Sequence, residues 1–123
     1  MYPSIIDLDK FSLKNSDLYK KDLNYLFQHF NSDKGEKLIN QYRKPLNNVD
    51  NPIDGHCYHE HYEKFFSLKK NENIDLLEIG AFKGNAAASF FFYFKNAKIT
   101  SCDLLPDLFL YKSKRIKNFQ IDN

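Results

Sequence analysis

The sequence predicts an α/β fold, in which helices flank a parallel sheet that follows a helical N-terminal segment. Short runs rich in apolar residues recur after residue 73, and a stretch with helical character separates the first two of them. A glycine follows the first run directly, as at the end of a strand that turns into a helix. Strands that alternate with helices form right-handed βαβ units, so we expect the strands to be parallel.

Two amphipathic helices are predicted before the sheet. The first covers residues 16–30 behind Ser16 as its N-cap, because large apolar side chains recur there at steps of three and four residues. The second covers residues 58–70, and its buried face is predicted to consist of Tyr58, Tyr62, Phe65, Phe66 and Leu68. Residues 31–55 are dense in Pro, Asn, Asp and Gly, so this region is predicted to be irregular.

The sheet region begins with "IDLLEIG", residues 74–80, which is typical of a parallel strand covered on both faces. A helix is predicted for residues 85–94, with Asn85 as its cap and the block "SFFFYF" in the core or an interface. A second strand at residues 97–103, a helix at 107–115 and a third strand at 118–122 complete the predicted order.

Composition excludes several classes of protein. The 123 residues carry 18 basic and 16 acidic side chains, and this balance does not favour a nucleic-acid partner. The two cysteines lie far apart, so a disulfide framework is not expected and a reducing cytoplasm fits best. We expect neither a signal peptide nor a membrane span, because no basic start precedes an apolar segment and no run of 18 apolar residues occurs.

Candidate site residues follow the predicted strands. A missing Cβ at Gly80 lets a ligand lie on the backbone, and Gly84 repeats this arrangement at the entry to the next helix. Asp103 lies 23 residues after Gly80, near the spacing at which an acid contacts ribose hydroxyls. Ligands of open parallel sheets bind at the carboxyl ends of the strands, where these residues are predicted to meet. The sequence therefore predicts a nucleoside site.

The charge of the site favours a cationic cofactor. A dinucleotide fingerprint needs a second glycine where this chain has Phe82, and the anion Glu78 would repel pyrophosphate. An ammonium and a sulfonium would be stabilised by the same carboxylate, which describes S-adenosylmethionine. An NAD-dependent oxidoreductase is a weaker alternative. A non-catalytic module that binds S-adenosylmethionine or a partner is a further one.

The motifs resemble a known family. "LLEIGAFKGNAAASF" is similar to motif I of class I S-adenosylmethionine-dependent methyltransferases, and "ITSCD" is similar to the acidic motif that follows it. The segments Ser32-Asp33-Lys34-Gly35 and Tyr58…Tyr62-Glu63 also match a subgroup that resembles macrolide-sugar O-methyltransferases and bacterial glycan methyltransferases. The resemblance implies a Rossmann-like fold, with residues 71–123 as the N-terminal half of the cofactor-binding domain. Residues 1–70 would be a helical and loop segment on the acceptor side.

The resemblance also implies roles for individual residues. Those implied to bind the cofactor are Lys34, Tyr58, Glu78, Gly80, Ala81, Gly84, Asp103 and Asp122. Asp33 and Tyr62 are implied to contact a sugar or other small-molecule acceptor, and His59 and Glu63 are candidates for the catalytic residues. No metal ligand is assigned, since the spacing of His56, His59 and His61 matches no compact zinc pattern.

The predicted sheet is incomplete by comparison with that family. A doubly wound sheet has the strand order 3-2-1-4-5-6, so a chain with the first three strands leaves the first strand with an unpaired edge. We expect this edge to lead to self-association, or to pair with a missing C-terminal half. The family's later acidic segment, which helps to bind a divalent metal such as Mg²⁺, is not present here. Methyl transfer by this chain alone is therefore not expected.

Overall fold

The computed structural model describes residues 4–39 and 52–122. The α-helices are α1 (Leu8–Lys14), α2 (Leu23–His29), α3 (His59–Phe66) and α4 (Asn85–Tyr93). The strands are β1 (Ile6–Asp7), β2 (Lys37–Ile39), β3 (Pro52–Asp54), β4 (Asp75–Ile79), β5 (Lys98–Asp103), β6 (Tyr111–Lys112) and β7 (Ile116–Gln120). Short 3₁₀ helices lie at Ser16–Lys20, Ser67–Lys69 and Pro106–Leu108.

The described residues form a mixed α/β fold around a parallel sheet of three strands in the order β4-β5-β7. Leu77 lies beside Thr100, and Thr100 lies beside Lys117, so the strands advance in step. The carboxyl ends of β4 and β5 consequently meet at one edge of the sheet. The predicted α/β class and the parallel direction of the strands are confirmed.

Helix α4 forms the centre of the hydrophobic core. Every residue from Ala86 to Tyr93 is buried, because the helix is packed between the sheet and the N-terminal helices. Phe90 meets Phe27 of α2 edge to face at 5.6 Å, and Phe30 stacks on Phe92 at 5.7 Å. A helix that is enclosed in this way has apolar residues on all its faces. The prediction of core packing for the "SFFFYF" block is confirmed.

The N-terminal segment pairs with residues 111–114, which lie about a hundred positions later in the sequence. Strand β1 pairs in parallel with β6, and the Asp9 carboxylate accepts hydrogen bonds from Ser113 Oγ (2.7 Å) and Lys114 N (2.8 Å). These two bonds lower the pKa of Asp9 against the opposing effect of burial. The buried cluster contains residues from both sides of position 70, and the division into two domains there stays a prediction.

The predicted helix at residues 107–115 is wrong. The chain forms the 3₁₀ helix Pro106–Leu108 and then β6, which pairs with β1. Leu110 N donates to Lys83 O, and Leu110 O accepts from Ile6 N, so both backbone groups of Leu110 are used outside a helix. A strand pair between distant parts of the chain therefore takes the place of the predicted local helix. The third strand of the sheet, β7, begins at Ile116, two residues before its predicted start.

The N-terminal helices also differ from the prediction. Residues 16–30 divide into the 3₁₀ helix Ser16–Lys20 and α2, because the Asp22 side chain accepts from Tyr25 N and begins a new helix. Helix α1 was not predicted. The predicted irregular region contains the antiparallel pair β2–β3 at its two ends, and its middle, residues 40–51, lies outside the described residues.

Two segments that were predicted to be buried are exposed in part. Leu77 and Ile79 of β4 are 63% and 70% exposed, so β4 is covered on one face and not on both. In the second helix region, Tyr62 and Phe66 pack against the core, whereas Tyr58, Phe65 and Leu68 are exposed. Among residues 4–39 and 52–122, no helix has the length and apolar character needed to cross a membrane.

We expect Arg115→Met to destabilise the fold by about 2–4 kcal/mol. The Arg115 guanidinium donates to the carbonyls of Phe91 (2.8 Å), Phe94 (3.2 Å) and Ala97 (3.0 Å), at the C-terminal end of α4. Methionine keeps much of the apolar stem but leaves these carbonyls without their donor. Urea unfolding measures the loss, and Lys117→Met, at an exposed position of β7 two residues later, is the control. An equal loss in both variants would contradict this role.

Candidate functional site

The candidate site begins where β4 ends and the chain turns into α4. Gly80 and Gly84 have φ angles of +85° and +84°, in the left-handed region that favours glycine. A Cβ added to Gly80 would meet nothing within 4 Å, whereas one added to Gly84 would lie 2.7 Å from the Phe109 ring. Gly80 therefore opens onto free space, and the glycine at position 84 is required by packing.

The first cleft lies over this turn and has a volume of about 120 Å³. It is lined by Ser32, Asp33, Lys34, Gly80, Ala81, Phe82, Lys83, Asn85 and Ala86. The backbone of Gly80 and Ala81 is fixed there, because both amides donate to Cys102 O at the end of β5, at 2.8 and 3.1 Å. Of the predicted cofactor residues, the first cleft brings together Lys34, Gly80 and Ala81.

A second cleft of about 270 Å³ lies along the edge of β4. Its walls are Lys34, Tyr62, Phe66, Leu76, Leu77, Glu78, Ile79 and Phe90. The lining is mostly apolar and aromatic, and Glu78 is its only acidic member in the part of the chain that the structure describes. Lys34 lines both clefts, so its side chain lies where they adjoin.

Glu78 is a buried carboxylate whose hydrogen-bonding capacity is unused. Its side chain is 8% exposed, and neither Oε1 nor Oε2 has a hydrogen-bond partner among the described residues. Burial raises the pKa of Glu78 to about 7, Lys34 acts in the opposite direction, and Asp33 and Asp103 add to the increase. Such a group is costly to bury and is typical of ligand-binding and catalytic sites.

Lys34 is the nearest cation to Glu78. Its Nζ lies 3.9 Å from Glu78 Oε2 and 3.8 Å from Asp33 Oδ1. Asp33 Oδ2 in turn lies 3.6 Å from His56 Nε2. Glu78, Lys34 and Asp33 therefore alternate in charge, and His56 lies beside Asp33.

Main-chain hydrogen bonds hold the segment of Lys34 against the start of α3. His56 N donates to Asp33 O (2.7 Å), Cys57 N to Gly35 O (3.1 Å) and His59 N to Lys34 O (3.2 Å). The two segments approach so closely that a Cβ on Gly55 would lie 2.1 Å from Gly35 O. Tyr58 stacks on His56 at 5.2 Å and is partly exposed, near the clefts but not in their lining.

Asp103 holds the glycine turn in place. Asp103 Oδ2 accepts from Phe82 N (2.8 Å), and Oδ1 accepts from Leu105 N (3.0 Å). These backbone hydrogen bonds, with that of Leu105 the larger, lower the pKa of Asp103 and keep it ionised. A carboxylate has lone pairs for further acceptor bonds, so this structural role leaves room for a ligand hydroxyl.

The two catalytic candidates have different surroundings. Glu63 Oε1 accepts from Leu23 N and Oε2 from Tyr93 OH, both at 2.8 Å, so this carboxylate joins α3 to α2 and α4. Burial, followed by these contacts with Glu63, raises the pKa of Tyr93 strongly. His59 Nδ1 is buried and has no hydrogen-bond partner among the described residues.

The remaining predicted residues lie apart from one another. Tyr62 lines the second cleft, where burial and then the nearby Glu78 raise its pKa. Asp122 is exposed beyond β7 and lines neither cleft. Within the part of the chain that the structure describes, no group of three or more His, Cys, Asp or Glu is placed to hold a metal ion.

Three polar residues in or beside the first cleft make contacts that were not predicted from the sequence. Asn31 has a φ of +55° and its side chain bonds both Ile39 N (2.6 Å) and Ile39 O (3.2 Å). Asn85, predicted as a helix cap, instead donates to Asn31 O (3.1 Å), and Gly84 is the N-cap of α4. Buried Ser32 accepts from Lys34 N (3.3 Å). An Asn just after a helix is the available signal, because Asn tolerates the left-handed region.

Comparison of the chain with models of known protein families gives no match, and comparison with curated proteins gives none either. The function proposed below therefore rests on the geometry of the two clefts and on the resemblance of the motifs.

Proposed function

We propose that this chain binds S-adenosylmethionine at the carboxyl ends of β4 and β5, as part of a Rossmann-like methyltransferase. The observation that supports this most strongly is Glu78, a buried carboxylate with no hydrogen-bond partner among the described residues. It borders an apolar cleft next to a glycine turn that is open to a ligand. This combination suits a ligand with a nucleoside at one end and a cation at the other.

The residues present fit such a ligand in three places. The open space at Gly80 allows the ligand to lie against the backbone of the turn. The ionised Asp103 at the end of β5 can accept hydrogen bonds from ribose hydroxyls. Glu78 can pair with the ammonium of the methionine part, by direct contact or through water.

The same residues disfavour NAD. Phe82, with a φ of +51°, occupies the place of the second glycine in a dinucleotide fingerprint, and its amide is already bonded to Asp103. Pyrophosphate at this turn would also approach the carboxylate of Asp33, with Lys34 and Lys83 in the same lining, and Glu78 borders the adjoining cleft. A cationic ligand gains from both acids.

Methyl transfer is the second part of the proposal. S-adenosylmethionine supplies an electrophilic methyl group, which an acceptor oxygen attacks while the carbon–sulfur bond breaks and its electron pair stays on sulfur. The acceptor hydroxyl passes its proton to a general base, for which His59 stays a candidate from the motif resemblance, although it lines neither cleft. The motif resemblance supports a sugar or glycan acceptor. The two free cysteines, Cys57 and Cys102, support a reducing cytoplasmic setting.

Binding without turnover is the second candidate function. Both oxygens of Glu63 are engaged in helix contacts, which favours a structural role for one of the two catalytic candidates. Turnover in a methyl-transfer assay on the same preparation would exclude this second candidate.

The free edge of β4 supports a proposal about partners. Among the described residues β4 pairs only with β5, and Leu77 and Ile79 beside this edge are exposed. We propose that the edge pairs with another strand, in a second copy or in a further part of the protein. Size-exclusion chromatography with light scattering tests the first possibility, and a persistent monomer would contradict it.

Isothermal titration with S-adenosylmethionine, S-adenosylhomocysteine and NAD tests the proposed function. We expect both adenosyl ligands to bind and NAD not to bind. Gly80→Val should abolish binding, because its side chain fills the space above the turn. Asp103→Ala should weaken binding by about 1–3 kcal/mol through loss of a charge-assisted hydrogen bond.

Asp107→Ala is the matched control, since Asp107 is an exposed acid that lines neither cleft. Circular dichroism of each variant separates loss of binding from loss of fold. Binding by Gly80→Val and Asp103→Ala that equals binding by the parent would place the site elsewhere. Tight binding of NAD alone would overturn the assignment of the ligand.

A further inference from the structure

Lys34 has an unusual position in the candidate site. Its side chain lies where the two clefts adjoin, and its ammonium is within 4 Å of two carboxylates, Glu78 at 3.9 Å and Asp33 at 3.8 Å. The proposed ligand would extend from Gly80 in the first cleft to Glu78 in the second. Its cationic end would therefore arrive where Lys34 now pairs with Glu78.

We infer that Lys34 is an exchangeable counter-ion, which pairs with Glu78 until a cationic ligand arrives and then gives up this carboxylate to it. The inference rests on the proposed function. Two ammonium groups beside one buried carboxylate repel each other strongly, because charges are poorly screened there. Asp33 gives Lys34 a second partner within reach, so the lysine keeps a counter-charge after the exchange.

The exchange predicts two opposing effects of Lys34 on binding. Lys34 helps to keep Glu78 ionised, and this favours binding of a cation. It also competes with the ligand for the same carboxylate, and this opposes binding. The other ionisable groups around Glu78 are Asp33 before β2, Tyr62 of α3 and Asp103 of β5, and none of these is a cation. Among residues 4–39 and 52–122, Lys34 is thus the only basic side chain that lines the cleft of Glu78.

Removal of the charge should therefore change the pH profile of binding. In Lys34→Met, Glu78 retains its proton to a higher pH, so the pH at which a cationic ligand begins to bind should rise by about one to two pH units. Once Glu78 is ionised, the competing ammonium is gone. At such a pH the variant should bind the ligand as tightly as the parent does, or more tightly.

The test is isothermal titration of S-adenosylhomocysteine from pH 5.5 to 9. We expect Lys34→Met to bind at least about tenfold more weakly than the parent at pH 6.5, with little or no deficit at pH 9. 5′-Methylthioadenosine has the nucleoside and the thioether but no amino acid, and should bind both proteins equally at every pH. Lys34→Arg should restore the profile of the parent.

Lys37→Met is the matched control, because Lys37 lines neither cleft and pairs with the exposed Asp54. If Lys34→Met does not fold, Lys34→Gln is compared with Lys34→Arg under the same conditions. A loss of the same factor at every pH would show that Lys34 contacts the ligand directly and would overturn the inference. Failure of the parent to bind either adenosyl compound would instead overturn the proposed function.

Discussion

Glu78→Gln is expected to make the protein more stable at pH 8 by about 3 kcal/mol. Burial holds the pKa of Glu78 at about 7, against an ordinary value of 4.5, so its ionisation in the folded state is unfavourable. The unfolded chain loses this proton at a lower pH than the folded chain. The contribution of Glu78 to stability therefore falls as pH rises from about 4.5 to 7 and is constant above that range.

Glutamine has nearly the same shape and does not ionise, so it removes this part of the pH dependence. Urea unfolding of both proteins from pH 4 to 8 measures the effect, with Glu36→Gln as the exposed control. The two proteins should have similar stability at pH 4 and diverge towards pH 8. A Glu78→Gln variant that is no more stable than the parent at pH 8 would show that the ionised carboxylate does not destabilise the folded state.

The same substitution should reduce binding of S-adenosylhomocysteine, because the ammonium loses its counter-charge. Higher stability together with weaker binding is the expected signature of a residue that is retained for function. A structural residue would show the opposite change in stability. The pair of measurements therefore connects the buried charge to the proposed ligand.

Gly55→Ala is expected to destabilise the protein by about 3 kcal/mol or more. The added Cβ would lie 2.1 Å from Gly35 O and 2.9 Å from Asp33 O, and both of these are backbone atoms. The segments before β2 and before α3 would have to separate. Their separation would break hydrogen bonds such as Gly55 N to Glu36 O (2.8 Å) and would displace Lys34.

Gly80→Ala is the control for this prediction, since its Cβ would meet nothing within 4 Å. Its cost should come from the φ of +85° alone, about 1–2 kcal/mol. Thermal unfolding of the two variants measures the difference. A Gly55→Ala variant as stable as Gly80→Ala would mean that the two segments are not packed as closely as described.

Local patterns predicted the part of the fold that contains the glycine turn. The apolar run of β4, the glycine at position 80 and the helical stretch of α4 are adjacent in sequence, so each limits the others. The pairing of β1 with β6 could not be predicted in this way, because it joins parts of the chain about a hundred residues apart. The same non-local contact explains the error at residues 107–115.

Local sequence patterns also predicted one part of the candidate site and not the rest. Glu78, Gly80 and Asp103 follow from their places at strand ends, and the structure brings them to one edge of the sheet. The position of Lys34 between two carboxylates depends on backbone contacts between segments that are far apart in sequence. Only the motif resemblance indicated it. The contacts of Glu63 with α2 and α4 had no signal in the sequence.

The most direct test of the central claim is a ¹⁵N NMR titration of the chain with S-adenosylhomocysteine. If the ligand binds at the carboxyl ends of β4 and β5, the amide signals that shift most will be those of Lys34, Gly80, Ala81 and Phe82. The same titration of Gly80→Val should leave the signals of Lys34, Ala81 and Phe82 unmoved. Saturable shifts confined to another part of the chain, or no shifts at millimolar ligand, would contradict the proposed site.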